Sequence, residues 1–475
     1  MAPPSAPATS SDYDRLRELK AFDATKAGVK GLVDAGITTV PRIFHHAVPA
    51  VESDELSSPR RPRHGVAGSR VPVIDLTASR SDLVAQVKAA AETAGFFQVV
   101  NHGVPDELLA ETLASVRRFH EEPADAKKRY YNRDPTPTPS VRYVSNFDLY
   151  QSPAANWRDT LFMLMSPAPP EEEVPPACRG IVSDYTPQVR KLAATLLELL
   201  SEAMDLPRTY LEEHEAGCLD AVLGHYYPPC PEPCRTMGTT RHCDPTFLTV
   251  LLQDSVGGLQ VHIDGVWVDV PPVPGALVVN IGDFLQVVSN DRFKSVEHRV
   301  LAMAGGPRVS VACFFRKRDS TRVYHPIVTQ PDDERPRYRG ITVPEYLGYY
   351  MDKGLDGRSK LEHFRRPLGS GKRLRSIIGD CGGGAPVQID AHVWRKCVDV
   401  APSQAAWCRA TPRASPRRRP ESSVACSAST APPAGSGGRN GAIAATSRAS
   451  SAASSSSSLP PSYSATVKVT PSPGR

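Results

Sequence analysis

The spacing of apolar residues predicts helices in the first part of the chain. Four segments have apolar residues three and four positions apart, with charged residues between them, which is typical of amphipathic helices. These segments are residues 13–36, 81–95, 105–131 and 184–206. Gly36 is a stop signal for the first, and Ser81 and Gly95 are the expected caps of the second. Two short strands are predicted beside them, "VPVIDL" (71–76) and "FFQVVNHGV" (96–104).

The pattern changes after Leu206. Between Ala221 and Phe315 the chain consists of short alternating segments separated by Gly, Pro, Asn and Asp. Many short strands with turn residues between them indicate a sandwich or barrel of antiparallel strands. "IDGVW" (263–267) has a central Asp-Gly pair, the strongest short hairpin signal. A last helical segment is predicted from Val343 to Phe364.

These patterns divide the chain into four predicted regions. Residues 1–70 form an N-terminal helix and linker, and residues 71–206 form a mixed helical and strand region. Residues 207–367 form the strand-rich domain. Residues 368–475 are low in large apolar residues and rich in Ser, Ala, Pro and Arg, so we expect a disordered tail.

Charge and composition exclude several classes of function. The net charge of +5 comes from the tail, which has 14 Lys and Arg against 4 acidic residues, whereas the preceding 367 residues carry 42 basic and 47 acidic side chains. The folded part therefore gives no indication of nucleic-acid binding. No apolar stretch is long enough to span a membrane, and the first residues lack the basic and apolar regions of a secretory signal, so neither feature is expected. Ten scattered cysteines favour reduced thiols, and Cys230 and Cys234 lack the second pair of a zinc ribbon. We expect a cytoplasmic protein.

Two His-x-Asp triplets raise the question of a metal site. Asp264 of the second triplet belongs to the Asp-Gly turn, so His262 and Asp264 are interpreted as hairpin residues. His242 and Asp244 of the first triplet precede a strand, and residues two apart on extended chain project to the same side. His298, in "SVEHRV", is the candidate third ligand. Two histidines and a carboxylate are typical of non-haem Fe(II) oxygenases. Unrelated barrel residues remain an open alternative.

A second pair of polar residues follows the candidate ligands. Arg308 and Ser310 are also two apart within strand-like sequence. A guanidinium buried near a metal needs an anion, and its planar fork matches a carboxylate. An arginine on the outer surface of a strand would give the same pattern, and the residues alone leave both interpretations open.

The segments that carry these residues resemble plant 2-oxoglutarate- and Fe(II)-dependent dioxygenases. The resemblance covers residues 13–367, and its motifs include "HYYPPCPEP" (225–233), "RHCDPTFLTVLLQD" (241–254) and "PRVSVACFF" (307–315). "FDATKAGVKGLVDAGITTVPRIF" (22–44) is similar to the 1-aminocyclopropane-1-carboxylate oxidase homologues. That group includes dioxygenases of benzoxazinoid glucosides, such as DIBOA-glucoside dioxygenase.

The resemblance implies a mainly β fold with flanking helices, built on a double-stranded β-helix or jelly roll. It implies His242, Asp244 and His298 as the Fe(II) ligands and catalytic centre. It further implies that Arg308 and Ser310, with the hydroxyl of Tyr227, bind 2-oxoglutarate. O2 would be the other cosubstrate and ascorbate the reductant. His225 replaces an asparagine that is common in relatives.

The implied function is oxidation of a plant specialised metabolite by hydroxylation, demethylation or desaturation, with a benzoxazinoid glucoside among the candidate substrates. A small-molecule substrate and a monomer are expected. One alternative is an ethylene-forming 1-aminocyclopropane-1-carboxylate oxidase, which uses ascorbate in place of 2-oxoglutarate. The others are a non-catalytic jelly-roll binding protein and a zinc-dependent hydrolase. Phe247 and Phe315 are candidate walls of the pocket, although core packing is the favoured interpretation of both.

Overall fold

The alternating segments of the sequence form two β-sheets in the computed structural model, which describes residues 13–46, 71–134, 139–327, 335–356 and 358–367. The strands are β1 (Val73–Asp75), β2 (Phe96–Val100), β3 (Val141–Val144), β4 (Asp159–Leu164), β5 (Leu219–Tyr227), β6 (Met237–His242), β7 (Leu248–Gln253), β8 (Leu259–Ile263), β9 (Val266–Asp269), β10 (Leu277–Ile281), β11 (His298–Leu301) and β12 (Arg308–Phe315).

The order of the strands shows the jelly-roll arrangement. The larger sheet has the order β1-β2-β10-β7-β12-β5-β4-β3, and the smaller sheet has the order β6-β11-β8-β9. From β5 to β12 the chain passes repeatedly between the two sheets. Apart from the parallel pair β1–β2, neighbouring strands are antiparallel. The predicted mainly β fold with a jelly-roll core is confirmed.

Helices flank the larger sheet and complete the fold. They are α1 (Arg15–Thr25), α2 (Gly28–Asp34), α3 (Arg80–Thr93), α4 (Asp106–Glu121), α5 (Ala124–Lys128), α6 (Ile181–Ala203), α7 (Tyr210–Glu213), α8 (Asp283–Val288) and α9 (Val343–Lys353). Short 3-10 helices lie at Arg42–Phe44, Pro176–Cys178, Pro233–Arg235 and Leu361–Phe364. Within the described ranges, no helix combines the length and apolar character needed to cross a membrane.

The largest core cluster joins α6 to the larger sheet. α6 buries one face, and Leu196 and Leu200 on that face are fully buried together with Val250 of β7 and Cys313 of β12. Complete burial of a leucine side chain contributes about 1.5–3 kcal/mol to the stability of the fold. The larger sheet is therefore held rigidly from outside, which fixes the positions of the strands that carry polar residues on its inner side.

Three of the predicted helices were wrong in their boundaries. The helix predicted over 13–36 is two helices, because Lys26 has a left-handed backbone (φ 54°) that ends α1. The helix predicted over 105–131 is interrupted after Glu121, where Pro123 starts the short α5. The helix predicted over 343–364 ends at Lys353, before Gly354 with φ 61°. Its last residues form a separate 3-10 turn.

The cap of α3 was also predicted at the wrong serine. Ser79, and not Ser81, is the N-cap, and its hydroxyl accepts a hydrogen bond from the amide of Asp82. The Asp-Gly hairpin was predicted correctly, since β8 and β9 pair on either side of Asp264 and Gly265, which both have positive φ. The predicted linker (48–70) and the predicted tail (368–475) both lie wholly outside the described residues.

An N-terminal segment, residues 13–46, packs against the strand β4. Phe44 contacts both Phe22 and Trp157 edge to face, with ring centroids 5.2 Å apart in each case. The carboxylate of Asp159 accepts hydrogen bonds from the backbone amides of Val29 (2.9 Å) and Lys30 (2.8 Å) at the start of α2. The segment is thus attached to β4 by both apolar packing and hydrogen bonds.

Candidate metal centre and cavity

The three predicted metal ligands meet at one end of the smaller sheet. His242 is the last residue of β6 and pairs directly with His298, the first residue of β11. Asp244 follows β6 by two residues. The rings of His242 and His298 have centroids 4.2 Å apart, and the two Nε2 atoms each lie 3.6 Å from Oδ1 of Asp244. One ligand atom from each residue lies within 4.8 Å of the others, so the three side chains can share one ion.

Hydrogen bonds orient both imidazoles toward the shared centre. Nδ1 of His242 lies 2.8 Å from the carbonyl of Thr240, and Nδ1 of His298 lies 3.2 Å from the carbonyl of Val296. A carbonyl oxygen can only accept, so each Nδ1 carries the proton and each Nε2 keeps its lone pair. A carbonyl bonded to the outer ring nitrogen is the usual support of a metal-binding histidine.

Hydrogen bonds also orient the carboxylate of Asp244. Its Oδ2 accepts hydrogen bonds from the hydroxyl of Thr249 (2.7 Å) and the amide of Asn280 (2.9 Å), which leaves Oδ1 directed at the imidazoles. Burial opposes its ionisation, but the nearby His298 and His242 and these hydrogen bonds hold the pKa of Asp244 below its ordinary value. Burial, with the neighbouring His298, lowers the pKa of His242 to about 3. The pair is therefore an ionised carboxylate and a neutral imidazole, the forms that bind a metal.

A buried arginine lies at the other side of the same space. Arg308 begins β12, is 1% exposed, and pairs in register with Tyr227 at the end of β5. Its guanidinium donates to the carbonyl of Gly257 (2.8 Å), the hydroxyl of Ser310 (2.8 Å) and the side-chain oxygen of Gln253 (3.2 Å). These partners are all neutral. A buried cation with neutral partners is costly unless an anion binds beside it.

Tyr227 contacts the arginine through its ring. The guanidinium carbon of Arg308 lies 4.9 Å from the ring centroid, and the hydroxyl of Tyr227 lies 3.2 Å from that of Thr239. Burial alone would raise the pKa of Tyr227, but the positive charges of Arg308 and Arg158 outweigh it and lower this pKa. The space between Tyr227 and the metal ligands is therefore electropositive.

A cavity between the two sheets connects these groups. It has about 470 Å³ of space free of protein atoms, counted to its open mouth. Both sheets line it, and the lining residues include all six predicted site residues, His242, Asp244, His298, Arg308, Ser310 and Tyr227. The structure thus brings the six predicted residues together.

The favoured interpretation of Phe247 and Phe315 as core residues is confirmed, and other residues of this region were not predicted. Phe247 and Phe315 are buried in the main core, while Phe96 and Phe314 line the cavity. Asn280 and Thr249, which position Asp244, were not predicted, because their sequence context shows only strand residues. Arg158 also lines the cavity and was missed.

His262 and Asp264 lie apart from the centre, as expected. The ring of His262 packs beside Trp267 in the hairpin, with ring centroids 4.8 Å apart. His225, at the position where relatives commonly have asparagine, lies in the cavity with its Nδ1 3.0 Å from the hydroxyl of Thr160. Burial, together with the charges of Arg158 and Arg308, lowers the pKa of His225 well below its ordinary value. His225 is therefore a neutral polar group in the cavity.

Comparisons with known proteins agree with this geometry. Two family models match the chain: the 2OG-Fe(II) oxygenase superfamily over residues 218–317, and the non-haem dioxygenase in morphine synthesis N-terminal over residues 71–180. The chain is 49% identical over 362 residues to 1-aminocyclopropane-1-carboxylate oxidase homolog 1 of Arabidopsis thaliana, covering 74% of this chain and 97% of the relative. It is 47% identical over 373 residues to a homolog from Solanum lycopersicum, covering 76% and 99%.

Solved structures show the same fold. JOX2, crystallised in complex with 2OG, Fe and JA, is 30% identical and covers 72% of this chain and 98% of its own, with a TM-score of 0.62. The dioxygenase for auxin oxidation in rice is 27% identical and covers 62% and 100%, with a TM-score of 0.52. The chain therefore belongs to the 2OG-Fe(II) oxygenase superfamily, whose members are oxidoreductases that use Fe(II) and 2-oxoglutarate, and its relatives are plant 1-aminocyclopropane-1-carboxylate oxidase homologues.

Proposed function

We propose that His242, Asp244 and His298 bind the Fe(II) of this dioxygenase, and that the enzyme oxidises a plant specialised metabolite by hydroxylation, demethylation or desaturation. The observation that carries the proposal is the orientation of the three ligand atoms. Each imidazole is fixed through Nδ1, and the carboxylate is fixed through Oδ2, so the remaining atoms face one another across at most 4.8 Å. Three ligands on one face of an octahedral ion leave the opposite face for cosubstrate and O2.

We propose Arg308, Ser310 and Tyr227 as the groups that bind 2-oxoglutarate. The guanidinium of Arg308 and the hydroxyl of Ser310 are 2.8 Å apart, so both can donate to one carboxylate. Tyr227 covers the guanidinium and contributes a hydroxyl on the same side of the cavity. These residues would orient the cosubstrate with its keto acid end toward the metal ligands.

Fe(II) held by His242, Asp244 and His298, with 2-oxoglutarate bound beside it, would supply activation of O2 for oxidation of a C–H bond, with succinate and CO2 as coproducts and ascorbate as the typical reductant. The protein supplies orientation and exclusion of water. Phe96, Leu251, Leu259 and Phe314 line the cavity with apolar surface. This apolar surface would keep water away from the reacting atoms and would contact the substrate instead.

The finer assignments are also proposals. A benzoxazinoid glucoside is one candidate substrate, since the N-terminal segment (22–44) is similar in sequence to enzymes of that group. We further propose a monomer in the cytoplasm. We keep the predicted division of the chain, with a mixed region over 71–206, a jelly-roll domain over 207–367 and an added tail over 368–475.

The proposed function is tested by product analysis. Purified chain is incubated with Fe(II), 2-oxoglutarate, ascorbate and a plant metabolite extract. We expect succinate to form in step with a product that has gained an oxygen, lost a methylene or lost two hydrogens. Ethylene released from 1-aminocyclopropane-1-carboxylate without succinate would instead support the oxidase alternative. Succinate that does not depend on Fe(II) would contradict the proposal.

The first variant test removes one metal ligand. His298→Ala is expected to abolish turnover and weaken Mn(II) binding while the chain stays folded, because the remaining two side chains cannot hold the ion firmly. Succinate formation, Mn(II) titration and thermal unfolding measure the three effects. His262→Ala is the matched control, since this histidine lies in the hairpin away from the centre, and it should behave as wild type. Unfolding of the His298→Ala chain would make the site structural.

A further inference from the structure

A second buried arginine in the cavity has no role in the proposed chemistry. Arg158 lies directly before β4, is 7% exposed, and lines the cavity together with His242 and Tyr227. Its NH1 donates to the hydroxyl of Thr239 (2.9 Å). Its Nε is buried and has no hydrogen-bond partner among the described residues. A buried guanidinium with an unused donor indicates a missing acceptor.

The neighbours of Arg158 hold it in this position. Trp157 packs against Phe44 of the N-terminal segment, and Asp159 accepts the backbone amides at the start of α2. Trp157 and Asp159 are thus both held by the N-terminal segment, and the side chain of Arg158 between them lines the cavity. The backbone before it is fixed too, since the side chain of Asn156 accepts hydrogen bonds from the amide and hydroxyl of Thr240.

The charges that line the cavity do not balance. Arg158 and Arg308 contribute two positive charges, and Asp244 contributes one negative charge. The lining histidines are neutral, His225 because of its lowered pKa and the two candidate ligands because a metal binds the neutral ring. Fe(II) and dianionic 2-oxoglutarate cancel each other. One positive charge is therefore left over after both have bound.

The two arginines have different hydrogen-bond partners in the cavity. Arg308 has Ser310 beside it and contacts one face of the Tyr227 ring. Arg158 is attached to Thr239, whose hydroxyl also lies 3.2 Å from that of Tyr227, on the side of the smaller sheet. Arg158 is close enough to His242 for its charge to help lower the pKa of that residue. A group bound at Arg158 would thus lie near the metal centre and near Tyr227, with which Arg158 also forms a hydrogen bond, whereas Ser310 is bonded to Arg308.

We propose that Arg158 is a specificity-determining residue that binds an ionised oxygen group of the substrate, a carboxylate in the simplest case. This inference rests on the proposed function and narrows its substrate class to organic acids. The free donors of the guanidinium would receive the anionic group, and the apolar walls would hold the rest of the molecule. A substrate without such a group would leave the second buried charge unmatched.

The inference is tested by binding and not by turnover. The full-length chain is loaded with Mn(II) and 2-oxoglutarate, so that the added compound is not consumed. It is then titrated with matched acids and amides: phenylacetate and phenylacetamide, indole-3-acetate and indole-3-acetamide, cinnamate and cinnamamide, octanoate and octanamide. Ligand-observed NMR and calorimetry give the affinities. We expect at least one acid to bind roughly tenfold or more tightly than its amide, since a charged hydrogen bond is lost with the amide.

Variants of Arg158 identify the group responsible. Arg158→Gln should weaken binding of the preferred acid by roughly ten- to a hundredfold and leave its amide little changed. Arg158→Lys keeps the charge and should retain part of the preference. Thr239→Val removes the supporting hydroxyl but keeps the guanidinium, and it serves as the control for local packing. Thermal unfolding shows whether each variant is folded, and the wild-type and Arg158→Lys preferences stand as tests if Arg158→Gln does not fold.

Two outcomes would overturn the inference. One is equal affinity for acid and amide in every pair. The other is an Arg158→Gln chain that loses 2-oxoglutarate affinity as strongly as Arg308→Gln does, which would assign Arg158 to the cosubstrate. An acid preference that depends on Arg158, in a chain that forms no succinate with any compound, would keep the subsite and contradict the proposed function.

Discussion

The antiparallel pair β5–β12 has a buried arginine at each end, and the hydrogen-bond partners of the two arginines differ in charge. Arg316, directly after β12, is 4% exposed, and its Nε and NH2 each lie 2.7 Å from Oδ2 of Asp220 in β5. Arg318 also bonds to Asp220. At the opposite end, Arg308 is 1% exposed, and its partners Gly257, Ser310 and Gln253 are neutral.

The difference separates a charge that the protein itself neutralises from one that has only neutral partners. Removing a guanidinium from water is expensive, and at the Arg316 end the protein supplies the compensating carboxylate itself. At the Arg308 end the protein supplies no carboxylate, which is consistent with the proposed binding of 2-oxoglutarate there. The pair at Arg316 also supports the metal centre from behind, because NH1 of Arg316 donates to the carbonyl of Pro245, next to Asp244. The same strand pair thus has a permanent ion pair at one end and the proposed cosubstrate-binding arginine at the other.

The largest expected effect comes from breaking the permanent pair. Asp220→Asn should destabilise the chain by about 3–5 kcal/mol, because it leaves Arg316 buried without a carboxylate. Chemical denaturation measures the free energy of unfolding. Asp125→Asn is the control: Asp125 forms an ion pair with Lys128 and is 90% exposed, so its loss should leave the stability nearly unchanged. Equal effects of the two substitutions would show that the buried Asp220–Arg316 pair contributes no more to stability than the exposed Asp125–Lys128 pair.

A smaller effect on stability and a specific effect on binding are expected at Arg308. Arg308→Leu should destabilise the ligand-free chain far less than Asp220→Asn does, because it removes a charge that has no acidic partner. Arg308→Lys should weaken 2-oxoglutarate binding by roughly ten- to a hundredfold, since an ammonium cannot replace the planar fork. Calorimetry with the Mn(II)-loaded chain measures the affinity. Unchanged affinity would exclude Arg308 from the cosubstrate site.

The third prediction concerns a buried group that is kept neutral. His120 on α4 is fully buried, and its Nε2 lies 3.1 Å from the carbonyl of Gly224, midway along β5. Burial lowers its pKa from 6.5 to about 3. The unfolded chain therefore binds more protons than the folded chain between these values, and stability falls as the pH drops below about 6.5.

His120→Gln should reduce this pH dependence. Each such histidine contributes a slope of up to about 1.4 kcal/mol per pH unit, so the metal-free variant should show a curve flatter by about that amount. Denaturation at several values between pH 7 and 4 gives both slopes. The partly exposed His262 provides the control substitution, His262→Gln, which should leave the slope near that of wild type. A steeper curve for His120→Gln would show that the imidazole is charged in the folded chain.

Much of the fold could be predicted from local patterns. The bounds of β12 and the β8–β9 hairpin agree with the sequence, since both depend on residues close together in the chain. The sequence patterns did not locate the end of α1 at Lys26 or the N-cap of α3 at Ser79. Each depends on a local backbone conformation for which the sequence offers several nearby positions.

The candidate site was predictable where two residues share a strand. His242 and Asp244, like Arg308 and Ser310, show a spacing of two that indicates a common side. Arg158 is a lone arginine near the start of a strand, and nothing local distinguishes it from a surface residue. Its position in the cavity depends on long-range contacts, such as the hydrogen bond to Thr239, which joins residues 81 apart in the chain. Only the folded arrangement shows which buried charges remain unpaired.

The attachment of α2 to Asp159 shows that the folded unit extends beyond the N-terminal family match. The N-terminal family match starts at residue 71, yet the carboxylate beside Arg158 receives two amides from residues 29 and 30. A chain that began at residue 71 would leave the buried carboxylate of Asp159 without these two hydrogen bonds. The carboxylate would then have to be protonated or become exposed to water. Residues 13–46 are therefore part of the structural support of the cavity wall, and their removal would loosen the backbone beside Arg158.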